Sequence, residues 1–174
     1  MLALFYEARD IIKYMRHPFS SAGECADVEK LPDETENQWQ ARKNASVVFK
    51  RYNERKDLFN RIYAMRYRFM AQIGPAEAQP FEDLNKIVKE ILVAARVLAQ
   101  LWPRNYFRTE EQYEQHRKRV EKHEAVFWQG TLDEDPIDPR LDSIVAEIEK
   151  TCRKIITGKG TLHAFLNRPL WKRS

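Results

Sequence analysis

The sequence predicts an all-α protein, an elongated bundle of about five helices with one unusually long helix over about residues 35–73. Two observations carry this expectation. Between Pro32 and Gly74 there is neither proline nor glycine, and apolar residues recur there at helical spacing. Elsewhere no segment alternates apolar and polar residues in the two-residue period of a strand, and the 174 residues contain only five glycines. The long helix would measure about 57 Å at about 1.5 Å per residue. A compact chain of this size has a radius of gyration near ~16 Å. One element therefore outruns the globule, which calls for an elongated bundle, a bend, or pairing with a second chain.

The first helix is expected from Leu2 to His17, with Leu4, Ala8, Ile11 and Met15 on one face and Pro18 as its stop. Its apolar opening, Met1 to Tyr6, reads as a segment packing into the body; the end of a membrane anchor is the second reading. The Phe19–Asp33 loop is long for a compact domain, and Val28 and Leu31 are its apolar handles. The long helix carries its stripe at Ala41, Ala45, Val48, Tyr52, Phe59, Ile62, Tyr63, Met70 and Ile73, and Gly74-Pro75 ends it. The third helix, Phe81–Trp102, is apolar almost all round in its second half and should be the central one.

Thr109 and Gln112 have the spacing of a capping box for a fourth helix reaching Gln129, with a narrow apolar line at Tyr113, Val120 and Phe127. Asp138-Pro139 is the expected start of a fifth helix, buried along Leu141, Ile144, Val145, Ile148, Cys152 and Ile155 and ending at Gly158. One bundle domain over residues 1–157 and a basic, aromatic tail over 158–174 complete the organisation.

Composition narrows the class of function. Apolar residues make up 43% and charged residues 32%, a globular profile. Cys25 and Cys152 form no CxxC pair and suggest no disulfide framework, which favours a reducing compartment. No stretch is apolar enough to cross a bilayer. The expected location is cytoplasmic, with the membrane surface as the alternative. The net charge of +4 conceals segregation: residues 36–73 carry nine Lys/Arg against three Asp/Glu, and residues 158–174 carry four basic residues and no acid. Such segregation speaks of partners rather than fold.

Lys43, Lys50, Arg61 and Arg68 fall within about 20° of one line on the long helix. A row of this kind can follow a phosphate backbone, an acidic protein or an anionic lipid surface. The tail residues Arg168, Trp171, Lys172 and Arg173 are a second candidate contact. Arg55 and Arg66 lie within about 40° of the centre of the apolar stripe. They either pair with an acid such as Glu7, Asp10 or Glu90, or line a pocket for a phosphate or carboxylate.

His116 and His123, seven residues apart, are too distant for one metal ion to be held by both directly. The acidic loop Asp133–Asp138 lacks the glycine and terminal glutamate of a calcium loop and reads as solvated. Gly158-Lys159-Gly160-Thr161 follows a helix instead of a strand, so it is no phosphate loop.

No catalytic, cofactor or metal residue is expected. The leading reading is a non-catalytic helical interaction or scaffold module, the soluble part of a larger or membrane-tethered assembly, with a protein partner or self-association. Sequence-independent nucleic-acid binding through the basic face is the second reading. A small anionic ligand or an enzymatic pocket around Arg55 and Arg66 is the third.

Overall fold

The computed structural model describes residues 1–166 except 22 and 132, with side chains described through residue 158. Five α-helices follow in chain order: α1 Leu2–Met15, α2 Glu36–Gln72, α3 Gln79–Leu101, α4 Glu110–Phe127 and α5 Asp138–Leu166. A 3-10 turn, Pro75–Ala78, separates α2 from α3. Among the described residues there is no strand, and no helix is long and apolar enough to cross a membrane.

Each boundary has a local cause. Thr35 caps α2 with a full capping box: its hydroxyl accepts the Gln38 N–H at 3.3 Å and the Gln38 side chain accepts the Thr35 N–H at 2.9 Å. At Gly74, φ is 129° and ψ 156°, a region that residues with a Cβ avoid, so α2 stops there and the 3-10 turn that follows leads the chain into α3. Thr109 caps α4 through Gln112 N–H, but the Gln112 side chain takes the N–H of Arg108 instead of Thr109, so only half of the expected box forms. At the start of α5 the free N–H groups of Ile137 and Asp138 donate to the carboxylate of Asp135 at 2.8 and 3.0 Å. Asp135, not Asp138, is therefore the capping side chain. Further on, α5 runs through Gly158, where the sequence places its end. A single glycine inside a helix costs about 1 kcal/mol and need not break it.

The helix α3 is the axis of the bundle and packs against α2, α4 and α5. Phe81, Leu84, Ile87, Val88, Ile91, Ala94, Ala95, Leu98 and Leu101 are its buried side, while Val93, Arg96 and Gln100 remain exposed. The rings of Phe5 and Phe69 meet Phe81 at 5.0 and 5.3 Å, tying α1 and α2 to the start of α3. Aromatic pairs at such distances contribute about 0.5–1.5 kcal/mol beyond the area they bury.

On α1 the buried face is Phe5, Ala8, Ile12 and Met15, displaced by one position at two of the four expected sites. On α2 the buried set is Ala41, Ala45, Val47, Val48, Arg51, Leu58, Ile62 and Phe69. At about 100° per residue this core line is rotated by roughly 60° from the one expected from sequence. The cause lies in Tyr52, Phe59 and Met70, which lie half-buried on the flank of the interface, and in Tyr63, which is exposed, while Leu58 and Phe69 occupy the centre.

The helices α2 and α3 run antiparallel, Phe69 beside Phe81 at one end and Ser46 beside Arg96 and Gln100 at the other. Because α2 has 37 residues and α3 only 23, the first turns of α2 extend past the end of α3. The Phe19–Asp33 loop, whose order the sequence leaves open, braces that overhang.

Candidate functional site

Two arginines are the most buried large polar side chains in the fold, Arg16 at 0% and Arg51 at 2% exposure. A guanidinium keeps its charge at any accessible pH, so burial is tolerable only where all five N–H donors find acceptors. Arg16, the C-cap of α1, donates to the carbonyls of Ala125, Val126 and Trp128 at 2.9, 2.9 and 3.1 Å. It also forks onto Asp135 at 2.9 and 2.8 Å and reaches Asp138 at 3.1 Å. A cation here meets the negative end of the α4 dipole and the carbonyls that a helix end leaves free. Burial pushes the Asp135 carboxyl up, but the bonds from Arg16 and from the Asp138 and Ile137 N–H groups prevail and hold it below its ordinary value.

Arg51 repeats the arrangement at the end of α1. It donates to the carbonyls of Tyr14 at 3.0 Å, His17 at 2.7 Å and Phe19 at 2.8 Å, and its Nη2 lies 2.9 Å from Glu24. The Tyr14 ring covers it at 4.9 Å. The Arg51 bond lowers the Glu24 carboxyl from its usual range.

The expected basic row is split by the acidic loop. Lys50 pairs with Asp27 at 3.3 Å, and Lys43 lies over the Trp39 ring at 5.2 Å. Trp39 in turn donates its indole N–H to the Val28 carbonyl at 2.8 Å. Arg42 forks onto Glu34 at 2.8 and 2.7 Å, and that bond holds the Glu34 carboxyl down at about 2. With Arg51–Glu24 added, the loop neutralises much of the N-terminal half of the basic helix.

Arg61 and Arg68 are exposed and have no ion-pair partner among the described residues. Between them and the exposed rings of Tyr63 and Tyr67 lie the small, exposed Ala64 and Ala71. Arg66 lies 5.2 and 4.8 Å from those two rings. The outward face of the second half of α2 is thus a shallow strip of alanine, with arginine along one border and tyrosine along the other. No helix covers it.

Arg66 forms an ion pair with Glu82 on α3, an acid not among the three weighed from sequence. Arg55 is exposed. The two arginines are therefore not brought together in a buried pocket. Burial lowers the His116 pKa, helped by Arg104 and Arg119; burial also lowers His123, helped by Lys122 and Arg119. Among the described residues no group of three His, Cys, Asp or Glu is placed to hold a metal ion. The acidic loop is not simply solvated, since Asp135 and Asp138 are the partners of Arg16. Arg168, Trp171, Lys172 and Arg173 lie outside the described residues.

An open groove of about 950 Å³ runs where α2 overhangs α3. Ala45 and Phe49 of α2, Ala99 of α3 and Pro103 form its apolar floor. Arg96 and Arg104 stand on the α3 side, and Leu31, Asp33 and Glu34 form the loop side. Sequence reasoning did not find this groove, because it results from a length mismatch between two helices and the seating of a loop. No family model, no curated protein and no solved structure matches the chain.

Proposed function

We propose that the protein is a non-catalytic helical interaction module, and that the outward face of the C-terminal half of α2 is its contact surface for an acidic protein partner. The observation that supports this reading is the strip on which exposed Arg61 and Arg68 border Ala64 and Ala71 without an ion-pair partner among the described residues. Small residues at the centre let a partner backbone approach, and the tyrosines on the opposite border offer amphipathic contact area. Cations along one border favour carboxylates on the partner and steer its approach. Lys43 and Lys50 are engaged within the fold, so the working surface is narrower than the basic row in the sequence.

A second reading, sequence-independent nucleic-acid binding, is favoured by one observation. Exposed Tyr63 and Tyr67 alternate with Arg61, Arg66 and Arg68, and stacking rings beside cations suit single strands. The two readings separate by salt. The test compares wild type with an Arg61→Glu, Arg68→Glu variant of equal stability, first in affinity purification from the native source and then with labelled oligonucleotides at two salt concentrations. Protein partners retained by wild type and lost by the variant, without oligonucleotide binding, support the interaction module. Oligonucleotide affinity that falls steeply with salt and is lost in the variant replaces it with the second reading. Identical protein partners together with unchanged oligonucleotide binding for wild type and variant contradict both.

A further inference from the structure

We infer that the groove between α2 and α3 is the docking site for an acidic peptide segment carrying apolar side chains, supplied by a partner protein. The surface is separate from the alanine strip of α2 and does not depend on its role. The overhang creates the groove: among the described residues, Arg96, Ala99 and Gln100 of α3 wall it on one side and the loop walls it on the other, with buried Ala45 beneath and half-buried Phe49 at the floor.

Size points to a peptide. On α2 the lining runs from Gln38 to Phe49, about 16 Å at about 1.5 Å per residue. The volume of about 950 Å³ is near the upper end for small-molecule sites of roughly 300–1,000 Å³. The trough is open along its length, a shape that a short helix or extended segment fills better than a compact ligand.

Charge sets the chemistry of the occupant. Arg96 and Arg104 are exposed on one wall and have no carboxylate partner among the described residues; Arg104 lies against the Phe107 ring at 5.1 Å. Opposite them, Glu34 is committed to Arg42 by two hydrogen bonds. Asp33 is the remaining acid of the lining. The α3 wall is therefore cationic and the floor apolar. A matching segment places carboxylates toward Arg96 and Arg104 and apolar side chains on half-buried Phe49, Ala99 and Pro103. The C-terminal residues of this chain, 158–174, carry four basic residues and no acid, so they repeat the charge of that wall instead of complementing it.

The test uses short peptides selected from a random displayed library against the full chain, then synthesised with a fluorescent label. Expected are peptides combining acidic and apolar residues, bound at least about tenfold more weakly by an Arg96→Glu, Arg104→Glu variant. Ala99→Trp, which fills the floor and leaves both guanidiniums, should abolish binding. Arg61→Glu, Arg68→Glu should leave it unchanged, so that failure of the α2 strip and failure of the groove are told apart. If Ala99→Trp does not fold, the two arginine pairs, all exposed, still decide. Peptides without acids, binding indifferent to the Arg96/Arg104 reversal, or no selection above an unrelated protein overturns the inference. Succinate shifting the Arg96 and Arg104 resonances while no acidic peptide is selected also overturns it, and assigns the groove to a small anion.

Discussion

The guanidinium of Arg51 lies across the last carbonyls of α1, and Arg16, the residue that ends α1, lies across the last carbonyls of α4. Nη1 of Arg51 is 3.0 Å from the Tyr14 oxygen, and Nη2 of Arg16 is 2.9 Å from the Ala125 oxygen. Each arginine also takes a carboxylate from a loop, Glu24 for Arg51 and Asp135 for Arg16. The same device thus fastens the 17–35 loop to α2 and the 128–137 loop to α1.

Replacing Arg16 by Met should destabilise the fold by about 3–5 kcal/mol, because Asp135 and three carbonyls lose their shared donor in a buried place. Asp135→Asn should cost less, since the amide oxygen still accepts and Asp138 remains beside Arg16. Urea unfolding at neutral pH measures both. Equal stability of Arg16→Met and wild type would contradict the clasp.

Glu24→Gln should act locally. The Gln side chain keeps shape and loses charge, so the loop should loosen while the core stays folded. Hydrogen exchange should quicken at the Ala26 and Val28 amides, which bond to Gly23 and Cys25. Exchange in α3 should stay unchanged.

Acidification should weaken the fold in two stages. His116 and His123 have depressed pKa values in the folded state, so below about 6.5 the unfolded chain takes up protons that the folded one refuses. Glu24, Glu34 and Asp135 are also depressed, so the stability they confer is full above about 4.5 and is lost as pH falls toward about 2. The urea midpoint should be level from about pH 8 to 7, decline gently through about 6.5, and fall more steeply below about 4.5. A midpoint that rises on acidification would contradict these assignments.

Gly74→Ala should cost about 1–3 kcal/mol, since φ of 129° with ψ of 156° is a region other residues scarcely enter. A Cβ there would meet nothing within 4 Å, so the cost is conformational and not steric. Gly23→Ala, equally unobstructed and without a positive φ, is the control and should be close to neutral.

Helix content, the long α2 and the central α3 were legible because a 3.6-residue period repeated over many turns outweighs local noise. Thr109 was legible because an N-cap is decided within four residues. Arg16 and Arg51 were not, since their carboxylate partners lie 119 and 27 residues away in sequence and only tertiary packing brings them together. Arg55 and Arg66 drew attention because half-buried tyrosines and methionines were weighted as if they were core. Counting Leu58 and Phe69 as the centre would have turned the stripe toward Arg51. The groove needs two helix lengths and a loop path, which no single stretch of sequence encodes.

In the proposed interaction module the basic face of α2 is divided, its N-terminal half engaged by the chain's own acidic loop and its C-terminal half left for a partner. A photo-crosslinking amino acid placed in turn at Ala64 and at Lys50, in otherwise wild-type protein in its native cell, tests this most directly. Expected are a discrete adduct with another protein from position 64, lost when Arg61 and Arg68 are changed to Glu, and only internal crosslinks to the 24–34 loop from position 50. Intermolecular adducts from position 50 with none from position 64 would contradict this division.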